Sequence, residues 1–112
     1  MPEIDKPTRE RGTVMNIKKE RKDNSLIVFF DGRLDAIGSP EAEAELVPEL
    51  TGVTSLGLDF AKVDYVSSAG LRLLLYLEQI MSEQGEMYLT NVPEIVKEIF
   101  EVTGFLEYVK IV

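Results

Sequence analysis

The chain contains no cysteine, no histidine and no tryptophan. The first absence excludes disulfides and thiol nucleophiles, and the first two together exclude zinc sites built from Cys and His. Without histidine there is also no side chain whose ordinary pKa lies near neutrality, which removes the commonest general acid and base. Long apolar runs are missing too. The longest, Leu26 to Phe30 and Leu73 to Leu77, are far short of the ~20 residues that cross a bilayer as a helix. The opening Met1-Pro2-Glu3-Ile4-Asp5 has no basic segment leading into an apolar one, so no export signal is read there. A cytoplasmic location without membrane insertion is expected. Bases are scarce, 12 Lys plus Arg against 20 Asp plus Glu for a net charge of -8, and such a surface repels a nucleic-acid backbone.

What is present is the composition of one folded domain: 112 residues, 45% hydrophobic and 29% charged, enough apolar surface to offset the entropy of ordering a chain of this size. Residues 1–33 hold eight of the twelve bases and six of the twenty acids, so the remainder is strongly acidic. Residues 1–12 mix both signs with two prolines and almost nothing to bury, which predicts a mobile N-terminal tail before a single domain over 13–112.

Alternation of apolar and polar residues predicts a strand over Thr13 to Lys19, a turn at Asp23-Asn24-Ser25 and a second strand from Leu26 to Phe30, paired as a hairpin. Ser39 and Pro40 read as the N-cap and first-turn residues of a helix reaching about Leu50, with Pro48 imposing a kink or an early stop. Val53 to Phe60 reads as a buried central strand. From Ser68 to about Gln84 the helical wheel puts Arg72, Tyr76, Gln79 and Glu83 on one face and Leu73, Leu74, Leu77, Ile80 and Met81 on the other. Met87 to Thr90 is a further short strand. Pro93 opens a third helix with Ile95, Val96, Ile99 and Phe100 as its apolar stripe, Gly104 as its C-cap, and an apolar tail from Phe105 that docks. The order β-β-α-β-α-β-α predicts an α/β layered fold, a mixed and mostly parallel sheet flanked by helices, with one face covered more than the other.

The informative segment runs from Leu58 to Leu75, LDFAKVDYVSSAGLRLLL, where a strand ends, a short loop turns over and two serines stand at a helix start. It resembles the STAS domain family in its free-standing form, the anti-sigma factor antagonist. Gly32-Arg33-Leu34-Asp35 is similar to the family's G-x-L-D element, and Leu89 to Leu106 to its last strand and helix. The resemblance implies a partner-switching protein. Its unphosphorylated form binds an anti-sigma factor serine kinase and releases the sigma factor, phosphorylation ends that binding, and a PP2C-type phosphatase reverses it. Counted back from Gly70, the phosphorylated serine falls on Ser68, with Ser67 as second choice because it stands where many members have aspartate. Asp35, Asp59 and Gly70 are the expected site neighbours, and Arg72, Tyr76 and Gln79 the expected partner-binding ridge. Arg33 is read as a hairpin residue away from that ridge.

A serine pair before an apolar run is, on its own, most often a plain helix cap. A serine hydrolase would need a base, and no histidine or G-x-S-x-G spacing exists. Asp59 as a response-regulator acceptor lacks the acidic pair and the lysine of that chemistry. Glu41, Glu43, Glu45 and Glu49 read as a solvated helix face and not as a cation site. Gly70 fits either a close helix contact or an approach to phosphate. The expectation is a non-enzymatic regulator with no cofactor and no metal; the alternative is a small cytoplasmic STAS subunit of a lipid-transport ABC system.

Overall fold

The computed structural model describes residues 15–112; the tail expected over 1–12, and Thr13 and Val14 of the first expected strand, lie outside the described residues. β1 (Met15–Lys22) and β2 (Ser25–Leu34) form the antiparallel hairpin, Met15 opposite Gly32 and Lys22 opposite Ser25. Asp23 turns the chain at φ 56°, a left-handed conformation that aspartate tolerates better than most residues. Then come α1 (Gly38–Leu46), β3 (Ser55–Val66), α2 (Ser68–Ser82), β4 (Glu86–Thr90) and α3 (Glu94–Thr103). The sheet runs β1-β2-β3-β4, with β3 parallel to both β2 and β4. The tail docks as expected: Ile111 bridges to Leu89, whose N–H donates to the Lys110 carbonyl at 2.8 Å.

One face of the sheet carries the core. Leu26, Val28 and Phe30 of β2, Leu56, Leu58 and Phe60 of β3, and Met87 and Leu89 of β4 are all buried. Onto them α1 brings Ala42 and Leu46, α2 brings Leu73, Leu74, Leu77 and Met81, and α3 brings Val96 and Phe100. Phe60 sits edge-on to Phe30 at 5.6 Å and to Phe100 at 6.3 Å between ring centres, tying hairpin, central strand and last helix together. Burial of each such side chain contributes on the order of 1.5–3 kcal/mol. The alternate residues Ile27, Phe29, Asp59 and Tyr88 are half-buried on the other face.

Four local expectations are corrected, and the early stop expected at Pro48 is seen. The first helix starts at Gly38, and Ser39 lies buried inside its first turn instead of capping it. The cap comes from Asp35, whose Oδ1 accepts the N–H groups of Ile37 at 3.0 Å and Gly38 at 2.8 Å. The α-helical part ends at Leu46 and a 3-10 turn over Val47–Leu50 holds Pro48, the early stop that the missing proline N–H dictates. β3 does not end at Phe60 but continues to Val66, so Ala61 to Val66 is strand and not loop. From the pair Phe29–Asp59 to the pair Leu34–Val66, β2 advances five residues and β3 seven. The extra residues are bulges, which leave Phe60, Val63 and Val66 buried at every third position and erase the alternation that marks a strand. α2 stops at Ser82, where Glu83 caps it. In α3, Ile95 is 58% exposed and does not belong to the core-facing stripe.

Candidate functional site

The last residues of β2 and β3 lie side by side, Leu34 opposite Val66, and the chain leaves them into α1 and α2. Ser67 takes an extended conformation, φ -92° and ψ -178°, and its hydroxyl accepts the Ala69 N–H at 3.2 Å. Its own N–H and hydroxyl both donate to the Leu34 carbonyl, at 2.9 Å and 3.3 Å. Ser67 is therefore the N-cap of α2 and a lock between the helix and β2. Ser68, the first residue of the helix, is exposed, and its hydroxyl has no hydrogen-bond partner among the described residues. The two neighbours thus differ sharply: one hydroxyl is consumed by the fold and one is free.

Gly70 is buried where a Cβ would stand 2.5 Å from the Leu34 carbonyl oxygen and 2.8 Å from Val66 Cγ1. Of the two roles weighed for it, the close contact between helix and sheet is the one seen. Asp35, next in the chain after Leu34, is brought to the same end of the sheet as the serines. The Gly38 N–H, and after it the Ile37 N–H and the Arg33 guanidinium, lower its pKa against the opposing effect of burial, so it is an anion at neutral pH. Asp59 is not brought there. Its carboxylate accepts from the Ala61 N–H at 2.9 Å, the Asn91 side-chain amide at 2.8 Å and the Thr90 hydroxyl at 3.3 Å, seven residues before the end of β3 and so on the order of 20 Å along the strand from the serines.

Arg72, Tyr76 and Gln79 are exposed on α2 at one-turn spacing from Ser68 onward. A groove of about 340 Å³ runs between α1 and α2, with Pro40 and Glu43 on one wall and Ala69, Arg72 and Tyr76 on the other. The buried Ser39 hydroxyl also lines it, without a hydrogen-bond partner among the described residues. Sequence reasoning missed Arg33 at the site: it pairs with Asp35 at 3.7 Å and stacks 5.6 Å over the Tyr65 ring. The signal that could have found it is the Gly32–Asp35 run itself, once the strand pairing placed it beside Tyr65. Among the described residues no cluster of three or more His, Cys, Asp or Glu could hold a metal ion, and no helix is long and apolar enough to cross a membrane. The Lys19 ammonium bridges Glu45 at 3.1 Å and Glu49 at 3.2 Å, so two of the four acids read as a solvated face are paired with a base.

Fold and site together define a small α/β domain in which a serine-capped helix, locked to the sheet end, presents a free hydroxyl and an open ridge. The family model described as the STAS domain matches residues 16–112, and the chain belongs to that family. Relatives named anti-sigma factor antagonist match most of the chain. A Bordetella bronchiseptica protein assigned to that role, BtrV, is 36% identical over 94 residues, 82% of this chain and 81% of its own length. The anti-sigma-B factor antagonist of Staphylococcus aureus is 29% identical over 92 residues, 80% of this chain and 85% of its own. The fold is that of the anti-sigma factor antagonist SpoIIAA. Its unphosphorylated form superposes with a TM-score of 0.74 at 18% identity, covering 87% of this chain and 88% of that one. The phosphorylated form from Bacillus gives 0.66 at 17% identity, covering 87% and 91%.

Proposed function

We propose that the domain is an anti-sigma factor antagonist that works as a phosphorylation switch in the cytoplasm. Unphosphorylated, it binds an anti-sigma factor serine kinase and frees the sigma factor; phosphate on Ser68 ends that binding, and a PP2C-type phosphatase restores it. The observation that carries the reading is the free, exposed Ser68 hydroxyl at the start of α2 beside a Ser67 hydroxyl held in the cap. The relatives' role and the existence of SpoIIAA in both phosphorylation states support it.

A phosphate there faces the unpaired N–H groups and positive dipole end of a 15-residue helix, so the modified form is locally accommodated. It also adds about -1.5 to -2 charge beside the Arg72–Tyr76–Gln79 ridge, where a partner surface fitted to a neutral hydroxyl meets a dianion. The domain itself carries out no chemistry in this scheme. It needs no cofactor, because the kinase brings the ATP.

The test is capture of partners from the native cell extract with and without ATP, followed by peptide mass spectrometry. An ATP-dependent loss of a bound kinase, with one phosphate on Ser68, is expected. Ser68→Ala should hold the kinase in the presence of ATP and Ser68→Asp should bind it weakly. Modification confined to Ser67, or equal affinity of the two variants, would sink the mechanism.

A further inference from the structure

α3 carries more apolar surface than the core uses. Val96 and Phe100 are buried against the sheet, whereas Ile95 is 58% and Val102 87% exposed, with Ile99 half-exposed between them. These three residues recur at i, i+4 and i+7 and lie within about 60° of each other around the helix, forming one straight strip two turns long. A second strip runs beside it on the flank away from the core: Glu94, Glu98 and Glu101, at the same spacing and all exposed. Contiguous exposed apolar surface rimmed by polar residues marks interaction sites, and this strip, edged by a row of one charge, is left uncovered by the fold.

We propose that α3 is a second docking surface, shaped for a basic amphipathic helix of a partner protein. Charge complementarity selects this occupant. A second copy of the chain would bring the same glutamate row and the same net charge of -8 against it. A helix with apolar residues every three to four positions and Lys or Arg alongside matches both strips at once. α3 packs on β3 and the C-terminal turn, and α2 on α1, β3 and β4. A partner on α3 therefore leaves Ser68 and its ridge open, and the inference does not depend on the phosphorylation switch.

The probe is a fluorescein-labelled 18-residue peptide of leucine and lysine with all leucines on one helical face, titrated into the intact protein by anisotropy and by amide NMR. Saturable binding is expected, with shifts centred on residues 94–103. Val102→Asp alone, and Ile95→Asp with Val102→Asp, should weaken it, the double variant by roughly tenfold or more. Because both side chains are exposed, circular dichroism and thermal melting should stay unchanged. Ser68→Asp should bind the peptide like the parent, which separates this surface from the switch. The proposal is overturned if shifts centre on α1 or the open sheet face, if the double variant binds equally well, or if a leucine–glutamate peptide binds as tightly. A dimer in sedimentation that Val102→Asp abolishes would also overturn it, by showing a second copy to be the occupant.

Discussion

Ser67 and Ser68 are chemically identical and adjacent, yet the Leu34 carbonyl gives them different work. Its lone pairs take the N–H and the hydroxyl of Ser67, so removing that hydroxyl strips both the helix cap and a tie between α2 and β2. Ser67→Ala should therefore cost about 0.5–2 kcal/mol of stability, read as a lower urea midpoint, whereas Ser68→Ala should leave the midpoint within experimental scatter. Gly70→Ala should cost more, about 1–3 kcal/mol, since the obstacle is backbone at the Leu34 carbonyl and cannot swing aside. Asp35 adds a pH signature. Its pKa is lowered in the fold by the N–H groups of Gly38 and Ile37 and by Arg33, so its contribution is complete above the ordinary aspartate range. That contribution is lost as the pH falls through the lowered value. Asp35→Asn keeps an oxygen acceptor for the two N–H groups but cannot titrate, so its stability should fall less steeply between pH 5 and pH 2 in acid unfolding curves.

At the scale of elements, the division of α2 into a buried and an open side is what would let the proposed ridge dock a partner without opening a cavity. Leu73, Leu74, Leu77 and Met81 fill the core while Arg72, Tyr76 and Gln79 remain outside. Reversing Arg72 to Glu should weaken kinase binding with an unchanged circular dichroism spectrum; unaltered affinity would move the interface off this helix. Arg33, expected from the sequence to lie away from that ridge, is not a remote control for this experiment, because it stands beside Asp35 and over Tyr65. Lys22, paired with Ser25 at the opposite end of the hairpin, is the better one, and Lys22→Glu should bind as the parent does.

For the whole molecule the question is whether a phosphate on Ser68 remodels the domain or only its surface. The helix dipole contributes about 0.3–1 kcal/mol to an exposed anion at this position, against a total stability on the order of 5–15 kcal/mol for domains generally. That is too little to repack a core joined through Phe30, Phe60 and Phe100. Amide NMR shifts on phosphorylation should therefore stay near residues 65–72 and the Asp35 turn; shifts spreading through α3 and the hairpin would reveal an allosteric switch instead. The loss of affinity should also be partly screened, so the gap between phosphorylated and unphosphorylated forms should narrow as ionic strength rises.

By itself the sequence determined what rests on local pattern: the hairpin, the element order, the amphipathic α2, Gly104 as a left-handed cap at φ 76° and the serine pair at a helix start. Tertiary structure decided whatever depends on register. The two extra residues of β3 change its period from two to three, so the stretch Ala61 to Val66 reads as a loop in sequence and is strand only through its pairing with β2. Asp59 and Asp35 read alike as acids near the serines, and only the strand pairing leaves one in the middle of β3, seven residues before its end, and sets the other beside Ser67. Ile95 and Val96 likewise read as one stripe, because periodicity assigns a residue to a helix face but not the face to a neighbour; the packing of α3 against the sheet buried one and left the other in water.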